Sequence, residues 1–146
     1  MQFYPPLMVL TGIIVQIVLG QFSHVAANIA SSWQLVGAAL VILSLACIVL
    51  ISRSFNKEET TILPDGTPSA LMQSGFFAYS RNPIYVCMTL LLIGAGLLSG
   101  TYWSLVVPVV FVLAVQQVWI IKEEENMEAS FGQHYRDYKQ RVRRWL

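Results

Sequence analysis

The sequence is short of charge. Lys, Arg, Asp and Glu make up 12% of its 146 residues, about half of the roughly 25% found in soluble domains. Residues 1 to 52 and 82 to 121 contain none of the four. A water-soluble surface is hard to build from such blocks, and they belong in lipid. A net charge of +1 leaves no basic field for nucleic acid, and no sustained heptad repeat points to a coiled coil; nucleic acid is excluded as a partner. Cysteine is scarce too. Cys47 and Cys87 fall in apolar stretches, without the spacing of a zinc site or a secreted disulfide framework, so no metal site is expected. The N-terminal stretch lacks a basic region followed by a small-residue cleavage site, and its first hydrophobic segment reads as a retained span.

What is present is long apolar sequence. A span needs about 20 apolar residues to cross about 30 Å of hydrocarbon, so each uncharged block accommodates two helices and a tight turn. The expectation is one all-α domain over residues 1–146: a polytopic membrane protein with four transmembrane helices at about 7–22, 33–52, 84–98 and 103–121. Pro5 and Pro6 suit the start of the first helix. The link carrying His24, Asn28, Ser31 and Ser32, and the turn Ser99-Gly100-Thr101-Tyr102, carry no Lys or Arg. All nine basic residues fall in the loop 53–83 or the tail 122–146, which the positive-inside rule assigns, with both termini, to the cytoplasm. Gly96 and Gly100 form a small-xxx-small pair suited to close helix packing, and Pro108 is a candidate kink. In the tail, Met127, Phe131, Tyr135, Tyr138, Val142 and Trp145 recur at spacings of three or four, the stripe of an amphipathic interfacial helix whose Arg141, Arg143 and Arg144 suit anionic headgroups.

No span holds the buried carboxylate that a proton-coupled transporter ordinarily needs. Polar chemistry is left to the cytoplasmic helix ends, where Ser80-Arg81-Asn82-Pro83-Ile84-Tyr85 leads into the third span and Glu123-Glu124-Glu125 leaves the fourth. Each cluster also has a structural reading: Arg81 as a phosphate anchor, Asn82-Pro83 as a helix start, and the glutamates as partners of a helix dipole.

Taken together, the two clusters resemble those of the isoprenylcysteine carboxyl methyltransferase and phospholipid methyltransferase group of integral membrane enzymes. The likeness runs from Phe55 to the C-terminus. It covers Thr60-Thr61, Pro64, Leu71, Ser74-Gly75 and Tyr79 to Tyr85, which is similar to the family's Arg-(His or Asn)-Pro-x-Tyr box. In the tail it covers Glu123-Glu124, Met127, Phe131-Gly132, Tyr135, Tyr138, Val142 and Arg144-Trp145. The resemblance implies methyl transfer from S-adenosylmethionine, with Ser69, Ala70, Leu71, Met72, Phe77, Asn82, Pro83, Ile84 and Tyr85 lining the cofactor pocket. It also implies that Glu123 and Glu124 lie near substrate and cofactor, with Arg81 among the catalytic groups. A carboxylate, an arginine and an aromatic wall complement that cofactor's ammonium, carboxylate and adenine.

The departures bear on the acceptor. Asn82 stands for the histidine of the eukaryotic-type box, and Phe77 for a common tyrosine. Trp119 stands one helical turn before Glu123, where carboxyl-methylating members carry an arginine thought to hold the substrate carboxylate. An indole brings no charge, so a lipid amine or a hydrophobic thiol is favoured as acceptor over a prenylcysteine-like carboxylate, with Trp119 and Glu123 as substrate-binding residues. Membrane lipids and an amphiphilic acceptor are the expected partners. The competing class is a non-catalytic four-helix membrane protein serving assembly or lipid binding.

Overall fold

The structure, a computed structural model, describes residues 4–22, 29–57 and 71–146, with the side chains of 55–57 excepted. Every regular element among them is a helix. The longest are α1 (Pro5–Phe22), α2 (Ser31–Lys57) and α3 (Pro83–Leu98), followed by a helical rod over Tyr102–Phe131. That rod contains a 3-10 turn, then α4 (Val106–Val115), a single π-helical turn at Gln116–Ile120 and α5 (Ile121–Phe131). A last helix, α6 (Gln133–Arg141), follows Gly132. Three of these, Pro5–Phe22, Ser31–Ser54 and Tyr102–Phe131, are long and apolar enough to cross a membrane; Pro83–Leu98 is apolar but shorter.

The helices start where local chemistry directs. Pro83 opens α3, where its missing N–H has no partner to lose. Pro108 lies in the first turn of α4, just after the 3-10 turn, and the same reasoning makes it a helix start there. The closest crossing lies elsewhere than at the expected glycine pair. A Cβ on Gly37 would meet the Gly94 carbonyl oxygen at 2.7 Å, and one on Gly94 would meet that of Gly37 at 2.8 Å, so α2 and α3 touch backbone to backbone there. Gly100 instead makes the turn after α3 with φ +76, and Gly96 sits against Leu105 and Gln16.

The core runs through the middle of the bundle. Val9, Tyr85, Met88, Leu91, Leu92, Phe111, Val115 and Ile120 are buried together, with Trp119 and Trp145 packed against them. Toward the end of the bundle holding the Ser99-Gly100 turn, Gln16 donates to the carbonyls of Leu92 at 2.8 Å and Ser104 at 3.0 Å, pinning α1 to α3 and the start of the rod. In hydrocarbon such donors have no water to fall back on.

The tail departs from the expected single interfacial helix. Gly132 interrupts it at φ 53 and ψ −123, a conformation that L side chains rarely adopt. α6 folds back, with Glu128 receiving Arg136 at 3.4 Å and Lys139 at 3.2 Å. The apolar stripe faces inward: Tyr135, Tyr138 and Val142 are buried under Leu71, Met127 and Phe131. Residues 142–146 then run back to α3 and α5 without helical structure.

Candidate functional site

The site forms where the start of α3, the root of α5 and the C-terminal segment meet. Consecutive residues on a helix point about 100° apart, so Glu123 and Glu124 face different neighbours. The Tyr85 hydroxyl donates to Glu123 Oε1 at 2.6 Å. Glu124 is buried between two arginines: Arg81 Nη2 lies 3.1 Å from Oε1, while Arg144 donates through Nε at 3.0 Å and Nη2 at 2.7 Å. The two-pronged arginine contact is the strong form of such a pair.

Backbone contacts stitch the C-terminal segment to the Ser80–Asn82 turn. The Arg81 N–H donates to the Arg143 carbonyl at 3.0 Å. Asn82 occupies the position before α3, yet its side chain makes no cap; Nδ2 donates to the Arg144 carbonyl at 3.0 Å. Ser80 Oγ receives the Asn82 N–H at 3.1 Å. Trp145 donates from Nε1 to Gln116 Oε1 at 3.1 Å, tying the chain end to the π-helical turn. π-turns are frequent at functional sites, and this one contains Trp119 and lies just ahead of Glu123.

Electrostatics leave one group with spare capacity. Arg81 is almost fully buried, yet its Nε and Nη1 have no hydrogen-bond partner among the described residues. Buried guanidinium donors are costly to leave unmatched, and two of them form a ready contact for an anionic group. Beside the triad, burial pushes the phenol of Tyr135 up, with Glu124 adding to the shift and Arg81 opposing it. Hydrogen bonding to Glu124 raises the Arg144 guanidinium in turn.

On its lipid side Glu123 lines a groove of about 880 Å³ between α1 and the Tyr102–Phe131 rod. Trp119, Lys122 and Asn126 surround its polar end with Glu123, and the remainder is apolar apart from Tyr4 and Thr11.

Of the residues expected at the site, Arg81, Asn82, Pro83, Ile84, Tyr85, Glu123 and Glu124 come together here, and Trp119 stands at the groove mouth. Phe77 contributes its carbonyl, which accepts from Tyr138 Oη at 2.6 Å. Leu71 packs on Tyr135, Tyr138 and Val142, and Met72 is half-buried beside it in sequence. Ser69 and Ala70, together with Thr60, Thr61 and Pro64, lie outside the described residues. The reading of Arg144 as a headgroup anchor is corrected: it is the main partner of Glu124. Lys122, Asn126 and Gln116 gave no motif signal, because their roles arise from the pairing of α1 and the C-terminal segment with the rod.

A family model described as phospholipid methyltransferase matches residues 33–134. The chain belongs to that family. The match takes in α2, α3, the rod and Glu123-Glu124, and leaves α1 and the C-terminal segment outside it. Membership implies methyltransferase activity on membrane lipid-like substrates. The chain is also 38% identical over 63 residues to an uncharacterized protein of Haemophilus influenzae, an alignment covering 43% of this chain and 100% of that one. No solved structure matches it.

Proposed function

We propose that the protein transfers a methyl group from S-adenosylmethionine to the amine of an amphiphilic lipid at the cytoplasmic face of the membrane. The observation that carries the reading is Glu123, which is joined to the Tyr85 hydroxyl on the bundle side and lines the apolar groove on the lipid side. The spare donors of Arg81 fit the carboxylate of S-adenosylmethionine. Asn82, Pro83, Ile84, Tyr85 and Phe77, with Leu71 and Met72, supply the remaining wall. When bound, that cofactor supplies an electrophilic methyl group.

The protein's own work is then to position and to remove a proton. An in-line displacement depends chiefly on holding acceptor, methyl carbon and sulfur aligned. An amine acceptor must also lose a proton, and Glu123 is placed to take it while Tyr85 fixes the carboxylate's orientation. Glu124, fully occupied by Arg81 and Arg144, acts as a positioning residue. It fixes Arg81 and draws the C-terminal segment across the site. At the groove mouth Trp119 brings no cation, whereas Lys122 and Glu123 together present a charge pair suited to a zwitterionic headgroup.

The membrane arrangement we propose has four crossings within one domain spanning residues 1–146. α3 is the short one, about 24 Å at 1.5 Å per residue. The basic residues and the site face the cytoplasm, as the positive-inside rule directs. The test is competition between a lipid amine, a hydrophobic thiol and a prenylcysteine carboxylate for radiolabelled methyl groups on the purified protein. The amine is expected to be methylated fastest; a clear preference for the carboxylate overturns the acceptor assignment.

A further inference from the structure

We infer that one hydrocarbon chain of the acceptor lies in the groove between α1 and the Tyr102–Phe131 rod, so that α1 is a wall of the substrate site as well as a membrane anchor. The inference rests on the methyltransferase reading above and adds to it the place and depth of the acceptor's tail.

Three features carry it. Small residues are part of the groove's wall: Gly12 on α1 and Ala114 on α4 both line it. It is continuous with the candidate site, since its polar end is formed by Lys122, Glu123 and Asn126 and Glu123 is the residue bonded to Tyr85. Its length suits a hydrocarbon chain. Along the rod the lining runs from Trp103 to Asn126, about 35 Å at 1.5 Å per residue, enough to hold an acyl chain that starts at Glu123.

The occupant follows from those features. A groove that is mostly apolar along its length and ends on a lysine and a glutamate fits a chain topped by a zwitterionic head. The Lys122 ammonium is available to its anionic group, and the Glu123 carboxylate to its amine. The headgroup is thereby delivered to the carboxylate that Tyr85 orients, while the tail never leaves an apolar environment. Bulk lipid covers other faces of the bundle as well, but this groove is lined by Glu123 itself.

The experiment uses a single-chain C16 phosphoethanolamine lipid carrying a diazirine at mid-chain, photolysed with the full-length protein in nanodiscs, followed by mapping of the labelled peptides. Labelling is expected to concentrate on Thr11 and Val15 of α1 and on Val110 and Ala114 of α4, and to be competed by the unlabelled lipid. Ala114→Phe, which fills the groove, is expected to lower that labelling at least fivefold. Leu113→Phe, on the lipid-facing surface outside the groove, should leave it unchanged. Thr11→Phe narrows the groove from the other side and carries the same test if Ala114→Phe does not fold. Equal labelling of α2 at Leu35 and Leu43, or labelling indifferent to both groove variants, overturns the inference. Titration of S-adenosylmethionine into the same samples separates the two readings. Normal cofactor binding with unselective labelling refutes the groove alone, whereas absent cofactor binding refutes the methyltransferase reading whatever the labelling pattern.

Discussion

Two adjacent glutamates carry opposite assignments, and single substitutions distinguish them. Glu124 is buried between Arg81 and Arg144. Removing one member of a buried ion pair leaves the others uncompensated and costs about 3 to 5 kcal/mol. Glu124→Gln should therefore lower unfolding free energy in detergent by roughly 3 kcal/mol. Among the described residues Glu123 is held by the Tyr85 hydroxyl alone, and it opens on the groove; Glu123→Gln should keep the fold and lose about 100-fold or more in turnover, the scale of a general base. Denaturant titration beside a methyl-transfer assay reads both effects, and an inactive, unstable Glu123 variant beside an unaffected Glu124 variant would reverse the assignment.

Tyr138 offers a pH test outside the spans. Burial pushes its phenol from the ordinary 10.0 to about 12, against the opposing field of Arg81. The folded state thus favours the neutral form. Its contribution to stability is complete below pH 10 and is lost as pH rises from about 10 toward 12. Tyr138→Phe removes the hydroxyl that donates to the Phe77 carbonyl, costs about 1 kcal/mol at neutral pH, and should flatten part of the alkaline loss of stability. An unchanged alkaline profile in that variant would show that Tyr138 is not a group that titrates on unfolding.

Among the elements, the α2–α3 crossing is the one that tolerates least. A methyl on Gly94 would lie 2.8 Å from the Gly37 carbonyl oxygen, and the obstacle is backbone, which no rotamer change can clear. Gly94→Ala should cost about 1 to 3 kcal/mol, read as earlier thermal loss of the monodisperse peak on size-exclusion chromatography. The helices themselves were legible from the uncharged blocks and from the prolines at their starts, because a span is declared by composition alone. The glycine contact was not. Gly96 and Gly100 have the right spacing on one helix, but a crossing needs a small residue on each partner, and Gly37 sits in another block of sequence. The tail shows the same limit. Its apolar period is visible, yet period cannot say whether lipid or protein covers the stripe; Leu71, from the loop, joins Met127 and Phe131 in covering Tyr135, Tyr138 and Val142.

At the scale of the whole molecule, the site is assembled from segments far apart in sequence. The motifs Ser80–Tyr85 and Glu123–Glu124 announced themselves because they are polar islands beside apolar runs. Arg144 also stands in the motif, but its charge alone suggests a headgroup anchor; the backbone of residues 143 and 144, bound to the Arg81–Asn82 turn, carries it to Glu124 instead. α1 carried no motif at all, and its part in the groove follows only from how it packs against the rod. The account stands on the use of S-adenosylmethionine at the junction of these segments, and isothermal titration of that cofactor into purified protein tests it most directly. Saturable binding at one site per chain is expected, weakened roughly 10- to 150-fold in a folded Arg81→Gln variant; absence of binding to the unaltered protein, or equal affinity in the variant, would contradict the account.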